Sequence, residues 1–128
     1  PACSAVHLTG FLVEDNDTIR STLVPALEEL ANASVLAMAA TADEAKDALH
    51  TWRGQWKLLV VDLFLASGTG LQVLESVAQR LPGQHVFVLS NYATAEMRRR
   101  CLELGADAVF DKSTQLDAFF EHCSLLGQ

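Results

Sequence analysis

Five short apolar runs, each followed by a stretch with helical periodicity, constrain this chain more than any other feature. Leu8 to Val13, Val35 to Ala39, Leu58 to Val61, Val86 to Leu89 and Ala108 to Phe110 have strand length. The third is apolar on both sides of the pleat, as a central strand covered on both faces should be. Ile19, Leu23, Leu27 and Leu30 repeat at helical spacing after the first run. Pro25 falls inside that pattern, and a kink is expected there because its ring cannot donate the backbone bond to Ser21. Thr41-Ala42-Asp43-Glu44 reads as a capping box opening a second helix, with Ala45, Ala48, Leu49 and Trp52 inward and an end at Gly54. A third helix follows Gly68 and Gly70, turns Leu71, Leu74, Val77, Ala78 and Leu81 inward and stops at Pro82-Gly83. A fourth spans about Thr94 to Leu104. A fifth starts near Ser113 or Thr114 and buries Leu116, Phe119, Phe120 and Cys123. Such alternation predicts an α/β fold, a doubly wound parallel sheet with right-handed crossovers and helices on both faces.

With 128 residues, half of them hydrophobic, the chain is sized for one core, so residues 1–128 are expected to form a single domain with no second, output-type domain among them. No apolar stretch approaches the roughly 20 residues of a membrane span, and no signal-peptide pattern is present, which points to the cytoplasm rather than a membrane. The net charge is -7 and Arg98-Arg99-Arg100 is the one basic tract, which argues against this domain gripping nucleic acid. That tract is expected to be mostly a solvated helix face. Cys3, Cys101 and Cys123 are odd in number and widely spaced, so free thiols in a reducing compartment are expected. His7, His50, His85 and His122 are scattered, and none is assigned a metal or a transfer role. Trp52 and Trp56 read as packing and loop cover.

The chemistry lies where the apolar runs stop. Glu14-Asp15, Asp62, Ser90 and Lys112 each close a run, which places each just beyond the carboxyl end of a strand. In open α/β sheets ligands bind in the crevice along that edge, where strand order reverses. Each residue alone has a plainer reading: acidic residues after a strand serve as helix N-caps, and a lone Ser or Lys is ambiguous. The conjunction is more telling. Packed carboxylates repel one another, and a Mg²⁺ ion relieves the repulsion while accepting hard oxygen ligands, with Glu14, Asp15 and Asp62 sufficient to hold it. The Asp62 carboxylate would then be a nucleophile toward phosphorus. The equatorial oxygens of a transferred phosphoryl group need charge compensation, from the metal, the Ser90 hydroxyl and the compact ammonium of Lys112.

The segments Leu12-Val13-Glu14-Asp15-Asn16, Leu59-Val60-Val61-Asp62-Leu63, Val88-Leu89-Ser90-Asn91 and Gly105-Ala106-Asp107 through Phe110-Asp111-Lys112 resemble those of two-component response-regulator receiver domains, over essentially the whole chain. The resemblance implies a (βα)5 flavodoxin-like three-layer sandwich with strand order 2-1-3-4-5 and the site above strands one and three. It implies that Asp62 accepts phosphate from a histidine kinase or phosphotransfer protein. Mg²⁺ would be held by Glu14, Asp15, Asp62 and the backbone carbonyl of Phe64, with Ser90 as the switch hydroxyl and Lys112 as the family's lysine. Such a domain signals to a downstream effector or a fused output domain through the face of the fourth helix, fifth strand and fifth helix. It acts on its own phosphoryl group and is not otherwise an enzyme. Three positions depart from the family. Ala66 stands where Pro is frequent, although Gly70 keeps the later glycine. Ser113 follows the lysine in place of Pro, and Val109 occupies the position of the aromatic switch residue. Phe110 is adjacent, but a one-residue offset in a strand faces the other way. Tyr92 is a candidate replacement ring, and Phe64 and Tyr92 together are candidates to shield the phosphoryl group from water. Val109 and the missing Pro leave one competing reading, a constitutive protein-binding module that kept the fold and lost the switch. A flavin or nucleotide site is disfavoured, because the loop after the first strand is acidic where a phosphate cradle would be glycine-rich.

Overall fold

Side chains along a strand alternate between the two faces of a sheet, so a strand apolar at every position must be covered on both. The computed structural model, which describes residues 8–30, 33–63, 65, 67–78, 81–91 and 93–126, follows that rule. Strands β1 (Leu8–Val13), β2 (Ala33–Ala39), β3 (Leu58–Val61), β4 (His85–Ser90) and β5 (Ala108–Asp111) alternate with helices α1 (Asp17–Leu30), α2 (Ala42–Thr51), α3 (Gly70–Ser76), α4 (Ala95–Glu103) and α5 (Leu116–Leu126). All strand pairs are parallel, in the order β2-β1-β3-β4-β5. One face of the sheet offers Phe11, Val13, Leu59, Val61, Val86, Val88 and Val109 to α2, α3 and α4. The other offers Leu12, Leu58, Val60, Phe87, Leu89 and Phe110 to α1 and α5. The result is the expected flavodoxin-like three-layer sandwich.

Most element boundaries follow the sequence reading, and the exceptions have local causes. β2 begins earlier than Val35, at Ala33, and α1 runs through Pro25 without ending there. Thr41 Oγ1 accepts from Glu44 N at 3.1 Å as a capping residue should, but the Glu44 carboxylate accepts from Ala40 N instead of closing the box on Thr41. The complete capping box is at Thr69 and Gln72, opening α3. α3 stops at Ser76, with Val73 and Leu74 inward and Val77 buried at its end. Ala78 and Leu81 are exposed, Leu81 by 44%, so the apolar periodicity there outruns the packing. α5 begins at Leu116, later than expected, because Asp111 Oδ1 accepts from Ser113 N and Thr114 N and holds residues 112–114 as a turn.

The expected packing roles of Trp52 and Trp56 hold: Trp56 is buried and Trp52 packs against the core. Cys101 and Cys123 are free and buried, and burial pushes the Cys123 thiol up to about 12. Cys3, His7, Phe64, Ala66 and Tyr92 lie outside the described residues, and with them the expectations placed on the Phe64 carbonyl and the two shielding rings.

Gly70 fixes how closely α3 approaches the end of β3. A Cβ there would stand 2.3 Å from the Asp62 carbonyl oxygen and 2.9 Å from both Leu63 Cα and Val61 Cγ1. Backbone atoms cannot yield as a side-chain tip can, so Gly70→Ala is expected to cost about 2 kcal/mol by overpacking. It should also perturb the amide signals of Asp62 and Leu63. Urea denaturation followed by circular dichroism measures the cost, and an unchanged midpoint would count against this account of the contact.

Candidate functional site

Glu14 and Asp62 are neighbours because β1 and β3 are neighbours, paired in register from Gly10 with Leu58 to Val13 with Val61. The backbone is pinned at both residues: Glu14 N donates to Ala39 O and Asp62 N to Val13 O, each at 2.9 Å. Both side chains are buried, Glu14 almost completely and Asp62 nearly so. Asp15 is exposed, and its amide donates to Glu14 Oε2. Ligand oxygens of Glu14, Asp15 and Asp62 all lie within 4.8 Å of one another, a group able to hold a metal ion.

Lys112 enters this cluster from the far side of the sheet. It follows β5 directly, and its Nζ donates to Glu14 Oε1 at 2.5 Å and to Asp62 Oδ2 at 3.0 Å. Its side chain is only 8% exposed, so the ammonium is held between two carboxylates with little water. Burial works against that charge, but the hydrogen bonds and charges of Glu14 and Asp62 prevail and hold the lysine pKa above its ordinary value. Burial, then the Asp62 carboxyl beside it, pushes Glu14 up to about 7 against the pull of Lys112. Three carboxylates thus face one ammonium, and the excess negative charge, presented through hard oxygens, suits a divalent cation.

Ser90 differs slightly from expectation. It is the last residue of β4, paired with Asp111, instead of lying beyond the strand, and it is fully buried. Lys112 N donates to Ser90 O at 3.0 Å, so the two loops leave the sheet together. The step from Lys112 to Ser113, where Pro is frequent in receivers, carries bonds that Pro would lose or lack. Ser113 N donates to Asp111, and Ser113 Oγ lies 3.2 Å from Asn91 Oδ1. Val109 and Phe110 face opposite sides of the sheet as expected: Val109 lies in the core under α4, and Phe110 stacks edge-on with Phe87 and Phe119 beneath α5.

The structure therefore brings together Glu14, Asp15, Asp62 and Lys112, with Ser90 one strand away. Sequence reasoning missed how Arg98 is used. It is half-buried, with its guanidinium hydrogen-bonded to Ala93 O, Val109 O and Gln115 Oε1, so it is not part of the expected solvated face. Arg99 pairs with Glu96 and Glu103 on the surface and Arg100 is exposed, as a solvated face requires. Among the described residues no helix is long and apolar enough to cross a membrane.

A five-stranded parallel sheet in this order, with an acidic crevice at its carboxyl edge, defines a doubly wound α/β protein of the flavodoxin-like class. The chain belongs to the response regulator receiver domain family, whose model matches residues 11–124. Solved structures agree in fold. A DNA-binding response regulator of the LuxR family from Staphylococcus aureus superposes with a TM-score of 0.81 at 15% identity, over 94% of this chain and 99% of that one. A Burkholderia pseudomallei response regulator with a phosphorylated aspartic acid, calcium ion and citrate gives 0.75 at 22% identity, over 88% of this chain and 64% of that one. The BeF3-activated N-terminal receiver domain of Klebsiella pneumoniae RstA gives 0.79 at 18% identity, over 94% and 99%. No curated protein matches the sequence.

If the Lys112 ammonium is what allows Glu14 and Asp62 to be buried side by side, Lys112→Met should destabilise the protein by about 3 kcal/mol, the cost of stranding buried charge. Adding Glu14→Gln to that variant should recover much of the loss. Chemical denaturation of the single and double variants provides the check, and an equal loss in both would contradict this assignment.

Proposed function

We propose that the chain is a phosphorylation-controlled switch in two-component signalling, with Asp62 as the phosphoryl acceptor. The observation that carries this reading is the position of Lys112 Nζ, shared between Asp62 Oδ2 and Glu14 Oε1 at the carboxyl edge of the sheet. A donor phosphohistidine, on a histidine kinase or phosphotransfer protein, presents phosphorus to an Asp62 carboxylate oxygen. A P–O bond forms as the P–N bond breaks, and the imidazole keeps the bonding pair and takes a proton. The Lys112 ammonium follows the developing negative charge from the carboxylate to a phosphoryl oxygen. The Ser90 hydroxyl donates to another phosphoryl oxygen once the loop after β4 moves inward. Mg²⁺ bound through Glu14, Asp15, Asp62 and the Phe64 carbonyl would supply charge neutralisation of the carboxylates and of the phosphoryl group. The donor set fits that ion, being all oxygen and in charge excess.

Phosphorylation would act as a covalent ligand that shifts a two-state equilibrium of the face built from α4, β5 and α5, by no more than its differential interaction with the two states. We read residues 1–128 as one receiver domain of a cytoplasmic protein, engaging an effector or a fused output domain through that face and making no nucleic-acid contact of its own. The fold neighbours described as phosphorylated or BeF3-activated support this reading by analogy. One observation favours a constitutive binding module instead: the side chain at position 109 is a buried Val, with no ring to rotate.

Beryllofluoride or a small acyl phosphate, added with Mg²⁺, separates the two. Trp52 and Trp56 sit before β3, at the sheet edge opposite the site, so amide NMR is the better reporter. The switch predicts a saturable, Mg²⁺-dependent change in α4, β5 and α5 that Asp62→Asn abolishes. A protein that stays silent to both reagents would be the constitutive module.

A further inference from the structure

In the reading above Ser90 reaches a phosphoryl group once the loop after β4 moves, and of the two side chains that hold that loop, Ser113 on Asn91 and Arg98 on Ala93, Arg98 reaches furthest. Arg98, on the first turns of α4, spans from that loop to β5 and to the start of α5. Its Nε donates to Ala93 O at 3.0 Å, its Nη1 to Val109 O at 2.8 Å and its Nη2 to Gln115 Oε1 at 2.6 Å. Gln115 Oε1 also accepts from Asp111 N at 2.9 Å, so the acceptor is itself anchored to the end of β5. β5 is an edge strand, and an edge leaves a row of backbone groups without a strand partner. Arg98 takes one of them. A planar guanidinium fork bonded to three acceptors on three segments fixes their relative positions in a way a point charge on a flexible stem cannot.

Two of these bonds are to β5 and α5, and the third is to the loop that would travel with Ser90. If the loop moves inward while β5 stays in place, Ala93 O draws away from Val109 O, and a fork bonded to both must give up one of them. One of the three acceptors in this network belongs to Val109, a position that departs from the family. Val109 is branched at Cβ and stiff at χ1, buried beneath α4, and cannot serve as a rotating ring. Its carbonyl is what the network uses.

Building on the phosphorylation reading above, we propose that Arg98 is the latch that holds the resting position of the β4–α4 loop against β5 and α5, and that its release couples Asp62 to the α4–β5–α5 face. It is a positioning residue, acting through the loop and touching no reacting atom. Linkage gives the latch a signature that a merely structural arginine would lack. A bond made only in the resting state opposes any ligand of the switched state, so removing the bond must tighten that ligand's binding by the same factor.

The test titrates Mg²⁺-beryllofluoride into the parent protein, Arg98→Met, Arg98→Lys and Gln115→Ala, following amide NMR for both affinity and the face. We expect the variants to bind beryllofluoride about fivefold more tightly, on the order of one hydrogen bond's net worth. Before any addition, their α4, β5 and α5 signals should lie part-way along the line from the parent's free to its bound positions. Arg98→Lys should behave like Arg98→Met, because charge is kept and the fork is lost. Should Arg98→Met fail to fold, Arg98→Lys and Gln115→Ala carry the comparison. Unchanged or weaker binding in the variants, with a parent that responds normally, overturns the latch and leaves the phosphorylation reading standing. A parent that does not bind beryllofluoride at all overturns that reading, and the latch with it.

Discussion

Two carboxyl groups buried against each other must share a proton or be met by a cation, and the carboxyl edge of this sheet is organised around that constraint. Glu14 and Asp62 are side by side because β1 and β3 are adjacent and parallel, each ending at the same level. Charge repulsion and lost hydration both disfavour the pair, as the raised Glu14 pKa registers. The Lys112 ammonium offsets part of that cost and reaches the pair from two strands away, which ties β5 electrostatically to β1 and β3. One positive charge against three carboxylates leaves the site short of positive charge. A site left unbalanced in this way gives up stability for an affinity toward cations, a trade that functional sites commonly make.

The rest of the fold keeps those strand ends in register. Two apolar cores, one under α2, α3 and α4 and the other under α1 and α5, clamp the sheet from both sides. Strand pleating then assigns faces residue by residue, which is why the Val109–Phe110 order matters. The ring at 110 is committed to the Phe87–Phe119 cluster under α5, and position 109 is left with a small branched side chain under α4. Close packing at Gly70 adds a second constraint, since α3 lies directly on the backbone that carries Asp62.

The architecture was legible because strand-length apolar runs and capping residues are local signals, and parallel α/β topology follows from their alternation. The acids and the lysine were legible because they interrupt those runs at the strand ends. What escaped the sequence depends on contacts between distant segments. Leu81 continues the periodicity of α3 but lies beyond the helix and stays 44% exposed, and periodicity carries no information about where a neighbour ends. The late start of α5 goes with an Asx-type turn in which Asp111 Oδ1 accepts the Ser113 and Thr114 amides, a local pairing that apolar periodicity does not reveal. Arg98 reads as one of three consecutive arginines on an exposed helix, and only the third dimension separates the one that reaches β5 from the two in solvent. Ser90 was placed one position too far, because a strand's last ladder residue and the first beyond it look alike in sequence.

The distribution of restraints around the site decides where motion can occur. The loops after β1 and β3 begin with main-chain bonds to a neighbouring strand, from Glu14 to Ala39 and from Asp62 to Val13, and Gly70 N returns to Leu63 O at 2.8 Å. The loop after β5 begins the same way, from Lys112 N to Ser90 O. Beyond Ser90, side chains hold Asn91 and Ala93, Ser113 against the one and Arg98 on the carbonyl of the other, before Thr94 O takes up the main-chain bond from Arg98 N. Side-chain bonds can be exchanged one at a time without opening a ladder, so Asn91 and Ala93 can be displaced with the sheet intact. A rigid acid cluster beside one displaceable loop is the mechanical minimum for a switch. Under the proposed function, chemistry at Asp62 would need fixed distances, and the signal would need one element able to take two positions.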